Sequence, residues 1–235
     1  MSASVRKGWY NALTRALKAE GEKGGVFQLA TLEAPNAPRV RSLIHREFLT
    51  ATAIPDLPLL LATTDVRTPK SSQLNADPRV EAVYWTASTQ EQFRIIGRAS
   101  IVPTPNYQGP YPSPSGRVFD ELAKEAFDWE KKRVQVFDSM SGHLKATWCR
   151  PVPGSPLEGG EEEMKEWPEK LPKLDEAESE EDKKNLAFAL ENFALFLVEP
   201  FEVDLLELGV QPNKRTNFKR NCEGSIGFKE TALVP

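Results

Sequence analysis

Short apolar runs separated by turn residues dominate the first hundred residues of the chain. Five runs between residues 26 and 102 are rich in β-branched or alternating apolar positions, and Pro, Asn, Asp or Gly bounds them. Such runs predict β-strands. Only KSSQLNAD, at residues 70–77, offers a helical turn between them. This order predicts an antiparallel sheet or barrel, not a parallel sheet of strand–helix–strand units. The runs are VFQLATLE, RVRSLIHREFL, LPLLLATT, RVEAVYWT and EQFRIIGRASIV.

Helical patterns flank these strands. Apolar residues at helical spacing, beginning with Trp9 and Leu13, predict an amphipathic helix from about Lys7 to Glu20 that covers the sheet. Residues 117–148 carry helical periodicity in two or three pieces. Strand character returns in NFALFLVEPFEVDLLEL, where Glu-Pro predicts a turn, and in NKRTNFKR. We therefore expect one domain over residues 1–235, mainly β with flanking helices.

The acidic charge of the chain is concentrated in one segment. Residues 157–184 contain twelve Asp and Glu against five Lys, a local net charge of −7. Because the whole chain carries −4, the rest is mildly basic at +3, which suits small anionic ligands as well as nucleic acid. Pro, Gly and acidic residues dominate this segment. Its composition predicts a disordered insertion at about residues 155–184.

Composition also argues against several classes of protein. No run of about 18 uncharged apolar residues occurs, so we expect neither a membrane span nor secretion. Cys149 and Cys222 lie far apart without metal-ligand spacing, which predicts two unrelated reduced thiols and a cytoplasmic location. The two histidines, His45 and His143, give little material for a transition-metal site.

Candidate chemistry begins at TTDVRTPK, residues 63–70. A strand end, a hydroxyl and a lysine at a helix start can together bind a phosphate, with Thr64 and Lys70 as donors. Arg67 either points inward as a further donor or is a solvated loop charge. Arg41 lies inside an apolar strand and needs a partner. It either meets the same phosphate or belongs to an edge strand with outward charges.

The order of these motifs resembles a known family. FQLATLE, RSLIHREF, TTDVRTPKSSQL, VYW, QFRIIG and EPFEVDLLEL followed by PNKRTNFKR look like the pyridoxamine 5'-phosphate oxidase-like FMN-binding split-barrel proteins. The resemblance covers most of residues 9–220 without the acidic segment. It implies a six-stranded antiparallel split barrel, a homodimer and bound FMN.

The resemblance also implies roles for individual residues. The FMN phosphate would be held by Arg41 and Lys70. The residues that border the flavin would be Ser42, Leu43 and Ile44, with Thr63, Thr64 and Gln92 as further contacts. In the family a late arginine reaches the flavin across the dimer interface, and Arg215 stands at that position. No metal is implied.

Positions that bind substrate in the oxidase differ here. Arg46 replaces a lysine, and Asn213 replaces a histidine. The oxidase's tyrosine, arginine and serine on one helix correspond to Arg133, Phe137 and Ser141, of which we list Arg46, Arg133 and Ser141 as candidate substrate-binding residues. The flavin site is therefore expected to be kept and the pyridoxamine phosphate site to be rewritten. No residue is assigned a catalytic role.

These implications predict an FMN-binding flavoprotein that acts as an FMN-dependent oxidoreductase on an unidentified small substrate. Two alternatives stay open, a non-enzymatic flavin-binding or sensing protein and pyridoxamine 5'-phosphate oxidase itself. Neither a membrane nor a nucleic acid is expected as a partner.

Overall fold

The computed structural model describes residues 8–21, 25–109, 111–221 and 227–235. Over these residues the chain forms nine β-strands and seven α-helices. The strands are β1 (Val26–Glu33), β2 (Ala37–Ile44), β3 (Glu47–Leu49), β4 (Leu59–Asp65), β5 (Arg79–Thr86), β6 (Glu91–Val102), β7 (Phe193–Glu207), β8 (Lys214–Arg220) and β9 (Phe228–Leu233). The helices are α1 (Trp9–Glu20), α2 (Pro69–Ala76), α3 (Arg117–Lys124), α4 (Trp129–Asp138), α5 (Gly142–Ala146), α6 (Gly160–Glu163) and α7 (Glu180–Asn192).

All described strands join one antiparallel sheet. Its order is β2-β1-β5-β6-β7-β4-β3, and β8 and β9 continue from β7 on a separate branch. The predicted class, mainly β with flanking helices, is confirmed. The described residues contain nine strands instead of six, and two of the additional strands are β3, which His45 and Arg46 separate from β2, and β9, which pairs with β8.

Strand β7 holds the two branches together. It pairs with β6 along most of its length, with β4 through residues 193–198 and with β8 through residues 202–207. The turn predicted at Glu199-Pro200 is wrong, since the strand runs through it. Proline lacks an N–H. The pairing of Ile96 with Glu202 and of Gly97 with Pro200 leaves out Phe201, so the sheet accommodates Pro200 beside a bulge.

Two apolar cores lie on either side of the sheet. In the first core α1 covers the sheet with Trp9 and Leu13, as predicted; its expected start at Lys7 lies outside the described residues. The second core joins β4 and β7 to the helices α3, α4, α5 and α7. The predicted helical pieces within residues 117–148 are thus confirmed.

The acidic segment is not the structureless insertion expected at residues 155–184. It contains α6, two 3-10 turns and the first turn of α7. Leu171 is buried in the second core, and the buried Lys145 donates to the Pro172 carbonyl at 2.6 Å. The main-chain N–H of Leu174 donates to Asp138 at 2.9 Å. A few well-spaced apolar residues therefore hold a segment whose average composition indicates disorder.

The outer face of the sheet carries exposed apolar side chains. Cross-strand register places Val26 opposite Ile44, and Glu81 opposite Ile96, so the exposed side chains of β1, β2, β5 and β6 share one face. Five large apolar residues on this face are exposed, which marks it as a candidate contact surface. They are Val26, Val40, Ile44, Trp85 and Ile96.

Among the described residues no helix is both long and apolar enough to cross a membrane. Cys149 is a free thiol, and Cys222 lies outside the described residues.

Candidate functional site

A cavity of about 590 Å³ lies where β2 and β4 end and α2 begins. Its opposite wall is the segment from Leu144 to Trp167. Six of the nine predicted cofactor residues line it, although they come from three separate elements of the chain. They are Ser42, Leu43, Ile44, Thr63, Thr64 and Lys70.

Lys70 is the central charge of the cavity. Pro69 fixes the first turn of α2 so that the next residue projects back toward the end of β4. The Lys70 ammonium donates to the hydroxyls of Thr64 and Thr68, each at 2.7 Å. Both hydroxyls in turn donate to the Asp65 carbonyl. The Lys70 ammonium is thus partly buried and is positioned by neutral oxygens.

Arg41 lies beside Lys70 but is not a lining residue of the cavity. Its guanidinium donates to Thr31 Oγ1 at 2.6 Å and to Gln73 Oε1 at 2.8 Å. Burial first, and the charge of Arg41 second, lower the pKa of Lys70 to about 8; Asp65 opposes this shift. Burial also lowers the pKa of Arg41. Two cations therefore lie close together at the start of α2.

Arg67 follows neither alternative considered from the sequence. It binds Asp65 through two nitrogens, with a shortest distance of 2.6 Å. It also donates to the main-chain carbonyls of Trp148 at 3.3 Å and Arg150 at 3.1 Å. Arg67 therefore neutralises the carboxylate beside the cavity and ties the opposite wall to the β4–α2 loop.

Arg46 lines the cavity from the end of β2. Its Nε is buried and has no hydrogen-bond partner among the described residues. Burial lowers the pKa of Arg46, because it disfavours the charged form. A buried donor without a partner is costly, and it indicates that a ligand completes the site.

Gln92 and Arg215 do not line this cavity. The register pairs Gln92 with Leu206 and Leu206 with Arg215, which puts both predicted residues on the apolar outer face of the sheet. Arg215 binds Asp204 at 2.8 Å, and Arg94 binds the same carboxylate. Within the chain these two residues are separate from the six predicted flavin contacts that line the cavity.

Two predicted substrate residues have structural roles instead. Arg133 is buried, pairs with Glu130 at 2.7 Å and donates to the carbonyls of Leu190 at 2.7 Å and Phe193 at 3.1 Å. It therefore joins α4 to the junction of α7 and β7. Ser141 accepts from the Leu144 N–H at 3.3 Å as the N-cap of α5. Helical spacing alone could not reveal these main-chain partners.

The opposite wall consists of residues that no sequence motif indicated. Arg150, Leu157, Met164 and Trp167 all line the cavity, and the Arg150 guanidinium lies 5.8 Å from the centre of the Trp167 ring. The sequence feature that could have indicated this wall is Trp167, an isolated tryptophan in an acidic, Pro-rich segment. Within the described residues, no group of three or more His, Cys, Asp or Glu could hold a metal ion.

Comparison with known proteins confirms the resemblance. Residues 6–103 match the model of the pyridoxamine 5'-phosphate oxidase FMN-binding domain. A pyridoxamine 5'-phosphate oxidase-related, FMN binding protein from Nostoc punctiforme PCC 73102 is 24% identical, with 100% of both chains covered and a TM-score of 0.70. PhzG from Burkholderia lata 383, in complex with tetrahydrophenazine-1-carboxylic acid, is 14% identical, with 96% of this chain and 90% of PhzG covered and a TM-score of 0.56. No curated protein sequence matches.

Proposed function

We propose that this chain, which is similar to the pyridoxamine 5'-phosphate oxidase FMN-binding domain over residues 6–103 and shares the fold of FMN-binding relatives, binds FMN in the cavity beside α2. Its activity is that of an FMN-dependent oxidoreductase on a small molecule. The observation that carries this proposal is the partly buried ammonium of Lys70, which donates to two hydroxyls and lies beside a second cation, Arg41.

A phosphate is the group that this charge arrangement suits. Arg41 and Lys70 repel each other, and Asp65, the carboxylate near them, is bound by Arg67. An anion with several acceptor oxygens relieves the repulsion and accepts from Lys70 and from the N-terminus of α2. Lys70 would hold the phosphate directly, whereas Arg41 would act on it through its charge.

The remaining predicted contacts form a surface for a flat ring. Residues 42–44 at the end of β2 and residues 63–64 in β4 bound the same cavity. Main-chain groups at such strand ends can contact the edge of a ring, and Leu43 and Ile44 can exclude water from it. When bound, FMN supplies the capacity to accept and donate hydride equivalents. The protein residues then bind, orient and shield the ring.

We also propose that two chains assemble through the outer face of the sheet. This face carries five exposed large apolar residues, and it includes Ser42 and Ile44, which also line the cavity. A contact between two such faces would bring Gln92 and Arg215 of one chain near the cavity edge of the other. This arrangement would give both residues the cofactor role that a single chain does not provide.

The first test is the visible spectrum of the purified protein, followed by calorimetric titration with FMN and with riboflavin, which lacks the phosphate. We expect FMN to bind at least tenfold more tightly, since a charge-assisted hydrogen bond contributes about 1.5 to 3 kcal/mol. Lys70→Met should remove this preference. Lys124→Met, at an exposed helix position outside the cavity, is the matched control.

Equal affinity for FMN and riboflavin in the wild type would reject the phosphate assignment. Enzyme activity needs a separate measurement, which is reduction of the flavin-loaded protein by NADH or NADPH and turnover of candidate substrates. A loaded protein that none of these reduces would favour the non-enzymatic alternative. Turnover of pyridoxamine 5'-phosphate would instead identify the oxidase, which the structural role of Arg133 argues against.

A further inference from the structure

The cavity has a second wall that the proposed FMN contacts do not use. Those contacts lie on β2, β4 and α2, whereas the second wall runs from Arg150 to Trp167. It includes part of the acidic segment. The inference developed below rests on the proposed function, because it concerns the substrate that would meet a flavin held in this cavity.

Arg150 is presented to the cavity by a firmly held main chain. Arg67 donates to the carbonyl of Arg150 at 3.1 Å and to that of Trp148 at 3.3 Å. Asn192 also donates to the Trp148 carbonyl, at 3.0 Å. The indole N–H of Trp148 donates to the Thr64 carbonyl at 3.2 Å, which ties this wall to β4. Arg150 is therefore held relative to the predicted flavin site.

The cavity carries more positive charge than FMN needs. Among its described lining residues, Arg46, Lys70 and Arg150 are cationic, and the single carboxylate, Asp65, is bound by Arg67. A phosphate at Lys70 would leave the other two guanidinium groups without an anion. The buried Nε of Arg46 also has no partner within the described residues. This excess indicates a second anionic group in the ligand set of the cavity.

The same wall carries apolar side chains that belong to neither of the two apolar cores. Val152, Leu157 and Met164 are 47%, 43% and 48% exposed, yet all three line the cavity together with Trp167. Large apolar side chains around an open cavity are typical of ligand contact. The glutamates at residues 161–163 of this segment do not line the cavity. Leu157, Met164 and Trp167 of the acidic segment therefore line the site, whereas these glutamates do not.

We propose that Arg150 and Trp167 form the substrate subsite, and that the substrate is a flat aromatic molecule with one oxyanion group, a carboxylate or a phosphate. The Trp167 ring and its apolar neighbours contact the flat body of the substrate. Arg150 binds the oxyanion, because a guanidinium matches the two oxygens of such a group, and Arg46 is available as a second donor. The segment 150–167 therefore determines substrate specificity.

Three probes with one ring system test this subsite: 2-naphthoate, 2-naphthyl phosphate and the neutral 2-naphthylmethanol. Each is titrated calorimetrically into FMN-loaded protein. We expect one of the two anions to bind at least tenfold more tightly than the neutral probe, and the preferred anion identifies the oxyanion. Arg150→Gln should weaken the preferred anion at least tenfold and change the neutral probe by less than about twofold.

The aromatic half of the subsite has its own variants. Trp167→Leu should weaken all three probes, and Trp167→Phe should restore most of the affinity because it keeps a ring. Arg79→Gln and Phe201→Leu are matched controls, since Arg79 pairs with Asp77 and Phe201 lies under Arg220, both outside the cavity. Neither control should alter probe affinity by more than about twofold.

FMN affinity is measured on the same samples, so that the two proposals fail separately. Two outcomes would overturn the substrate subsite alone. In the first, the wild type binds FMN but neither anionic probe. In the second, Arg150→Gln binds the preferred anionic probe as tightly as the wild type does. Failure of the wild type to bind FMN would overturn both. Circular dichroism checks folding. If Trp167→Leu does not fold, Arg150→Lys decides, and we expect it to bind the preferred anion more weakly than the wild type but more tightly than Arg150→Gln.

Discussion

Arg41 and Lys70 bring two positive charges to one end of α2. Gln73, on the same helix, accepts from the Arg41 guanidinium at 2.8 Å, and Lys70 lies in the first turn. The fold thus holds two like charges together in a partly desolvated place. Burial and this neighbouring charge lower the pKa of Lys70 to about 8. The repulsion between these charges and their desolvation destabilise the folded state, and a bound anion would offset this destabilisation.

Lys70→Met should therefore stabilise the apo protein while it weakens FMN binding. We expect the free energy of unfolding at pH 7 to rise by about 1 to 2 kcal/mol, since a partly buried charge is removed and the Thr64 and Thr68 hydroxyls keep their bonds to the Asp65 carbonyl. Urea denaturation without flavin measures the change, with Lys124→Met as control. A destabilised apo variant would contradict this account.

The pH dependence of that gain has a defined sign. Between pH 8 and 10.5 the unfolded chain keeps the Lys70 proton and the folded chain loses it, so wild-type stability rises relative to the variant. The advantage of Lys70→Met should therefore be smaller at pH 9.5 than at pH 7. An advantage that is constant between these two pH values would show that Lys70 titrates normally.

His45 should make the protein sensitive to acid. Burial lowers its pKa to about 4, and its Nδ1 lies 3.1 Å from the hydroxyl of the buried Tyr84. Between pH 6.5 and 4 the unfolded state binds the proton more strongly, so stability falls as pH falls through this window. His45→Gln should reduce the loss by about 2 to 3 kcal/mol, measured by urea denaturation at pH 7 and 4.5. An equal acid loss in variant and wild type would exclude His45 as its source.

Leu171 should anchor the acidic segment. Its side chain is buried in the second core, and its N–H donates to the Gly142 carbonyl at 3.0 Å. Leu171→Ala should lower the free energy of unfolding by about 2 to 4 kcal/mol through the cavity that it leaves. Leu157→Ala, in the same segment but exposed, should cost less than about 0.5 kcal/mol. Similar effects of both variants would support the disorder that composition alone indicates.

Arg215 should link FMN binding to dimerisation. If each cavity is completed by the partner chain, FMN stabilises the dimer by mass action. We expect Arg215→Ala to raise both the FMN and the dimer dissociation constants about tenfold. Lys219→Ala, on the same face of β8, is the control. Analytical ultracentrifugation with and without FMN measures the dimer dissociation constant. An equal dissociation constant in the two conditions would reject the linkage.

The strands were accessible from the sequence because their signal is local. β1, β5 and β6 begin and end where the alternating runs do, at residues 26–33, 79–86 and 91–102. Pro200 shows the limit, since a proline at a bulge and a proline at a turn give the same pattern. α7 was missed because acidic composition masked its helical period, and Leu171 because a single apolar residue carries no period.

The site was accessible only where a motif carried it. The resemblance grouped residues between Ser42 and Lys70 that line one cavity in the fold, and their contact with a flavin stays a prediction. Arg133 was misassigned, because matching positions along a helix does not reveal the two carbonyls that it binds. Arg150 and Trp167 were missed because their meeting depends on the path of a long segment that has no local signature.

The bulge in β7 lies between the part of the strand beside the cavity and the part beside Arg215. Before Pro200, β7 pairs with β4, which carries Thr63 and Thr64. After Pro200, β7 pairs with β8, which carries Arg215. A Cβ atom at Gly97, opposite the bulge, would lie 2.5 Å from the Glu199 carbonyl oxygen, so the register has little freedom there. A slip of one residue would displace the two halves by about 3.3 Å. The distance between the Thr63–Thr64 end and the Arg215 end of β7 is therefore fixed by the backbone at the bulge and not by the side chains at either end.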